Sequence, residues 1–175
     1  IVINDGSIDN SLKILKKNKN LFDHIISYER NRGKGFACKQ GILIAKGEYT
    51  IIQDADLEYN PKDYPKLLEP FLSTDADIVY GSRFLGGDYV RLHFFWHYLA
   101  NKILTTLTNV VTNLNMSDME TGYKVFKKSV IQSINLNEKS FGIEPEITVK
   151  LAKKKFIFYE VPISYRGRSY EEGKK

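Results

Sequence analysis

Short apolar runs alternate with segments of helical period through the first half of the chain. The run "IVIND" (Ile1 to Asp5) ends at Gly6 and Ser7, as a strand buried on both faces does. A helix is predicted after it, capped by Ser7 or Asp9, with Leu12 and Leu15 on its inner stripe and Lys13, Lys16 and Lys17 outside. "HIISY" (His24 to Tyr28) is the second predicted strand, and "NRGKG" is a glycine-rich turn into a helix from about Phe36 to Ala45, stopped by Gly47. "YTIIQD" reads as the third strand, Pro61 to Leu72 as a helix opened by proline, and "ADIVYGS" as the fourth strand. This alternation predicts an α/β fold, a mostly parallel sheet with right-handed crossovers and helices on both faces.

Beyond Arg83 the pattern changes. A long aromatic-rich helix is predicted from about Arg91 to Asn113, then a polar loop through "MSDMETGYK", two more helices and a last strand in "FIFYEVPISY". No linker composition, internal repeat or low-complexity tract divides the chain, so residues 1–175 read as a single domain. With 42% hydrophobic and 13% aromatic residues it can bury one sizeable core. The chain opens inside a strand without an initiating Met and stops at "EEGKK" without a turn signal, which reads as a fragment of a longer protein.

In a parallel α/β sheet, ligands bind beyond the carboxyl ends of the strands. Asp5, Asn31 to Gly35, Asp54 to Glu58 and Gly81 to Arg83 all fall at such ends, so polar clusters from separate stretches converge on one rim. "TIIQDADLEYNP" is the most charged of them, with Asp54, Asp56 and Glu58 at alternate positions after an apolar strand. In a strand Asp54 and Asp56 point the same way, roughly 7 Å apart at their Cα atoms, and their repulsion calls for a counterion. A hard divalent cation, Mg2+ or Mn2+, takes such oxygen ligands and keeps positions open for phosphate oxygens. The plainer reading is a polar loop that caps the helix at Pro61.

The order of the motifs decides between these readings. "INDGSIDNS", "NRGKGFACKQGILIAKGEY" and "QDADLEYNPKDYPKLL" resemble the nucleotide-binding and D-x-D segments of the family-2 glycosyltransferases, which have the Rossmann-like GT-A fold. "ADIVYGSRFLGG", "DMETGYKVFKK", "FGIEPEIT" and "YEVPISYRGRSYEEGKK" resemble the branch holding the dolichyl-phosphate and polyprenyl-phosphate mannose and glucose synthases. The resemblance covers nearly the whole chain. It implies transfer of a hexose, with inversion, from a nucleotide-sugar to a polyprenyl phosphate, or alternatively to a saccharide hydroxyl. The same fold without turnover would be a nucleotide-sugar binding module.

The resemblance also implies residue roles. Asp5, Gly33, Lys34 and Gly35 would line the nucleotide pocket, and Asp54, Asp56 and Glu58 would handle ribose, metal and diphosphate. Arg83, Lys124 and Arg168 match basic positions near the reacting phosphates, a task suited to fixed cationic donors. Asp118 and then Glu120 are the candidates for a catalytic carboxylate, needed as general base for a hydroxyl acceptor; a phosphate acceptor, already charged, leaves Asp118 to orient Lys124 or the sugar. Relatives carry a further strand and helix upstream, Asn4 stands where many have an Asp, and "EEGKK" replaces their usual ending.

Charge and composition narrow the partners. The net charge of +5 and pI near 9.1 suit an anionic ligand or a membrane surface. Lys and Arg are scattered over several elements without an RNA-binding or helix-turn-helix signature, so nucleic acid is not expected. No apolar run approaches the ~20 residues of a spanning helix. Trp96, Tyr98, Phe94 and Phe95, with Arg91, His93 and Lys102, form a mixture found at membrane interfaces, although most aromatic helices are core. With the lone Cys38, this predicts a cytoplasmic protein, peripheral at the cytoplasmic face of a membrane.

Overall fold

The computed structural model describes residues 1–86 and 94–168. Its elements run β1 (Val2–Asp5), α1 (Ser11–Lys17), β2 (Ile25–Tyr28), α2 (Lys34–Ile44), β3 (Tyr49–Ile51), α3 (Tyr64–Ser73), β4 (Ile78–Ser82), α4 (Phe95–Thr112), β5 (Lys124–Lys127), α5 (Lys128–Ile131), α6 (Ile143–Lys153) and β6 (Phe158–Pro162). The first half alternates strand and helix as its periodicity predicts. Pro61 opens a short 3-10 turn, Pro61–Asp63, before α3, and the Asn60 side chain accepts the Lys62 amide there. Arg91, His93 and the "EEGKK" ending lie outside the described residues.

The strands form two hydrogen-bonded groups. β1 and β2 pair in parallel, and the others follow the order β3-β5-β4-β6, with β4 parallel to β6 and β5 antiparallel to β3 and β4. The sheet is therefore mixed, and β5 is the element that its sequence hides. The sequence pattern ends a polar loop at Lys124 and predicts helices after it, yet Lys124, Val125 and Phe126 are fully buried in a strand at the centre of the sheet. Strand alternation then sorts the core. Ile78, Tyr80 and Phe126 face α6 and its Ile143, Ile147 and Leu151, while Val79 and Val125 face α3 and its Leu67 and Phe71. Between β1 and β3 lies a cavity of about 880 Å³ floored by α2. Both strands consequently stay half-buried, although each reads as an apolar run covered on two sides.

Helix α4 is amphipathic in the reverse sense. The residues it buries are Asn101, Thr105 and Thr108, whereas Trp96, Ile103, Leu107, Val110 and Val111 face outward. The inward polar groups are paired: Asn101 donates to Asp118, Thr105 donates to Asn101 and accepts the Met119 amide, and Asn109 exchanges hydrogen bonds with the Met116 backbone. The helix is thus anchored by polar contacts to the loop ahead of β5, and the core reading of its aromatic residues does not hold for Trp96, which is 75% exposed.

Candidate active site

The carboxyl ends of β1, β3, β4 and β6 supply one rim. Because β5 runs the other way, its first residue, Lys124, and the loop before it reach that rim as well. Asp5 closes β1 and accepts the amides of Arg32, at 3.0 and 3.1 Å, and Gly33, at 2.7 Å. Its carboxylate thereby fixes the turn into α2. Gly33 has φ of 98°, and a Cβ there would lie 2.1 Å from the Lys139 carbonyl oxygen, so the turn requires glycine. Gly35 is similarly packed against the Glu138 carbonyl.

Lys34, at the start of α2, reaches across the rim. Its ammonium lies 3.1 Å from Asp54 Oδ2 and 2.8 Å from Glu144 Oε1. Burial disfavours its charge, but the two carboxylates outweigh burial and hold its pKa above the usual lysine value. Glu144 comes from the first turn of α6 and is 7% exposed. Gly122 lets Asp54 approach the loop ahead of β5, since a Cβ at Gly122 would stand 2.7 Å from Asp54 Oδ2.

Arg83 and Asp118 form the second cluster. Asp118 is fully buried, and its carboxylate accepts Arg83 Nε and Nη2 at 2.7 Å each, the Arg83 amide at 3.0 Å and Asn101 at 3.2 Å. Burial pushes its pKa upward, and the Arg83 guanidinium more than reverses this, so Asp118 stays ionised. Lys124, also fully buried, donates to the carbonyls of Met119 and Thr121 and stands 4.8 Å from the Tyr80 ring centre. Burial lowers its pKa to about 8, against the pull of Glu144 and Asp118. Glu120 is raised by burial and then by the charge of Glu144. Glu160, on β6, accepts the amides of Ser117 and Asp118 and holds this loop in place.

Glu58 and Arg168 form the third. Glu58 Oε1 accepts the backbone amide and Nε of Arg168 at 2.9 and 3.2 Å, and Oε2 accepts the Tyr165 hydroxyl at 2.8 Å. Burial would raise the Glu58 carboxyl, but these donors hold it below the ordinary value. Asp56 accepts the Glu58 amide and faces Arg168 Nη2 at 3.4 Å. Among the described residues no three acidic, His or Cys side chains are gathered tightly enough to cage a metal. The oxygens of Glu58 are taken, while Asp54 and Asp56 remain about a quarter exposed and each faces a single basic side chain. That donor set fits a cation held by one or two carboxylates and completed by phosphate oxygens.

The structure thus brings together Lys34 with Asp54, Arg83 with Asp118, and Asp56 and Glu58 with Arg168. Sequence reasoning missed Glu144, Glu160, Asn101 and Tyr165. For Glu144 a signal existed: it adjoins Ile143 in a stripe continued by Ile147, Thr148 and Leu151, which marks it as inward-facing.

The α/β domain, with its mixed sheet and its charged rim at the strand ends, has the GT-A fold of the solved structure that superimposes on it. Residues 1–134 match the family described as Glycosyl transferase family 2, and the chain belongs to that family. It is 28% identical over 175 residues to the low-salt glycan biosynthesis hexosyltransferase Agl6 of Haloferax volcanii, covering 98% of this chain and 41% of that protein. It is also 28% identical over 181 residues to the dolichol-phosphate mannosyltransferase of Pyrococcus furiosus, covering 99% of this chain and 51% of that protein. The chain therefore spans about half the length of these curated relatives. The crystal structure of glucosyl-3-phosphoglycerate synthase from Mycobacterium tuberculosis superimposes with a TM-score of 0.72 at 17% identity, covering 98% of this chain and 62% of that one. That enzyme has also been solved with Mg2+ and UDP and with Mn2+ and UDP-glucose. At this identity the likeness establishes the fold.

Proposed function

We propose that this chain is the catalytic core of an inverting hexosyltransferase that moves a hexose from a nucleotide-sugar, of the GDP-mannose or UDP-glucose type, to a polyprenyl phosphate. The observation that carries the reading is the rim itself. Lys34, Arg83 and Arg168 reach it from three separate stretches of the chain, each held by carboxylates, beside Asp54 and Asp56, with Lys124 buried beneath them. Fixed cationic donors of this kind suit a reaction whose donor and acceptor both carry phosphate.

The anomeric C1–O bond to the diphosphate breaks with its electron pair leaving on the nucleoside diphosphate, while an acceptor phosphate oxygen forms the new bond to C1 from the opposite face. Arg83, locked by Asp118, presents its remaining N–H groups to phosphate oxygen without having to reorganise. Asp118 then acts as a positioning residue. Asp54 and Asp56 would hold Mg2+ or Mn2+, which supplies neutralisation of charge on the leaving diphosphate. Asp5 and Gly33 to Gly35 shape the donor turn. A phosphate acceptor is ionised at neutral pH and needs no general base.

The outward face of α4 supports the lipid acceptor. It runs through Trp96, Ile103, Leu107 and Val111, on the side of the helix away from the buried Asn101, Thr105 and Thr108. An amphiphilic helix with its aromatic residues at one end suits a bilayer interface, and no described helix is long and apolar enough to cross a membrane. On this reading the protein is peripheral at the cytoplasmic face of a membrane. Glu120 favours a second reading, since a carboxyl raised by burial could serve as general base toward a saccharide hydroxyl. The test is transfer by the full-length protein from GDP-mannose and UDP-glucose, with Mn2+ or EDTA, to polyprenyl phosphate or to an oligosaccharide. Lipid-linked hexose formed only with metal, and lost in Asp54→Asn, bears the proposal out; product on the oligosaccharide alone moves the assignment to the Glu120 reading.

A further inference from the structure

Lys34 already occupies Asp54 with a cation. Its ammonium is 3.1 Å from Asp54 Oδ2, the carboxylate on which the proposed function places a divalent ion. An ammonium on Asp54 Oδ2 repels a divalent cation arriving at the same carboxylate and competes with it for that oxygen, so loading is favoured by somewhere for Lys34 to withdraw to. Glu144 supplies it. Its Oε1 holds the ammonium at 2.8 Å, and its Oε2 is buried without a hydrogen-bond partner. A buried carboxylate oxygen without a donor is unfavourable, and an ammonium has three donors. Neither residue is free to drift: Lys34 opens α2, whose first turn packs on Lys139 and Glu138, and Glu144 lies in the first turn of α6.

We propose that Glu144 is a positioning residue that sets the cation affinity of Asp54 through Lys34, retaining the ammonium while a divalent cation takes its place on Asp54. This rests on the metal role given to Asp54 above. Without Glu144, Lys34 would have Asp54 as its only carboxylate partner and would compete harder with the incoming ion. The role differs from a general contribution of negative charge, because it passes through one other side chain and depends on reach.

The experiment is direct Mn2+ titration of the full-length protein, without donor or acceptor, by electron paramagnetic resonance of free Mn2+. Wild type against Asp54→Asn tests the metal site itself: binding that is absent, or unchanged by Asp54→Asn, removes the premise. Given that site, Glu144→Gln is expected to weaken Mn2+ about fivefold, and less than about twofold when Lys34→Met is already present. Glu144→Asp keeps the charge but shortens the reach, and is expected to follow Glu144→Gln. Equal weakening by Glu144→Gln with and without Lys34, or wild-type affinity in Glu144→Asp, would overturn the proposal. The Glu144→Asp arm stands even if Lys34→Met fails to fold, which thermal melting of each variant reports.

Discussion

Replacing Asp118 by Asn separates a positioning carboxylate from a catalytic base. Asp118 is 0% and Arg83 14% exposed at the side chain, and two contacts of 2.7 Å join them. The substituted amide would turn an N–H₂ group toward a guanidinium that can only donate, leaving the arginine charge buried without its partner. Breaking one side of such a pair costs about 3–5 kcal/mol. For a domain of this size that corresponds to a fall in Tm of roughly 6–20 °C. The assay is thermal and urea unfolding of wild type, Asp118→Asn, Arg83→Gln and the double variant. The double variant should lose little more than either single one, since the cost lies in the orphaned partner. The pH dependence has a definite sign. Folding lowers the Asp118 pKa, so the pair's contribution is complete above the unfolded carboxyl's pKa of 3.8 and is lost as pH falls through the lower folded value. The gap between wild type and Asp118→Asn should therefore close in acid. An Asp118→Asn protein that melts with wild type while losing turnover would refute this reasoning and restore Asp118 as a base.

Other outcomes follow from the same geometry. Lys124, lowered to about 8 by burial, should give kcat/KM a limb that falls above about pH 8, and Lys124→Arg should abolish the limb where Lys124→Met is inactive throughout. Its effect on stability has the opposite sense to that of an acid with a raised proton affinity: the unfolded lysine keeps its proton up to 10.5 while the folded one releases it near 8, so stability rises between about pH 8 and 10.5, as urea unfolding across that range would record. Gly122→Ala places a Cβ 2.7 Å from Asp54 Oδ2 and 2.8 Å from Tyr59, and should weaken metal-dependent nucleotide binding in calorimetry by about tenfold or more. Trp96→Ser with Leu107→Ser, at positions 75% and 59% exposed, should reduce sedimentation with vesicles containing anionic lipid and leave Tm within about 2 °C; a large fall in Tm with unchanged sedimentation would make α4 a core helix.

The parts of this protein legible in its sequence are those whose pattern is local. β1 to β4 announce themselves because each apolar run is punctuated by glycine, asparagine or aspartate; of the helices between them α3 carries a clear apolar stripe, whereas α2 carries almost none and is marked by the glycines that bound it. β5 does not, because two of its four residues are lysines and its partners β3 and β4 lie far from it along the chain. A lysine in a strand reads as solvent-facing, and only the assembled sheet shows that Lys124 is covered and satisfied by the carbonyls of Met119 and Thr121. The same limit applies to the rim. Asp5, Asp54, Arg83 and Asp118 are visible as residues at strand ends or in recognisable motifs, but their pairing is not. Arg83 finds Asp118 across 35 positions, and Lys34 finds Glu144 across more than a hundred. Helix α4 shows why composition alone misleads: its aromatic and aliphatic residues suggest a core, yet Asn101, Thr105 and Thr108 form the buried stripe because the loop holding Asp118 needs donors and acceptors along that side. Satisfying a buried carboxylate and its loop thus dictates the inward face of α4, and the apolar side turns outward as the consequence.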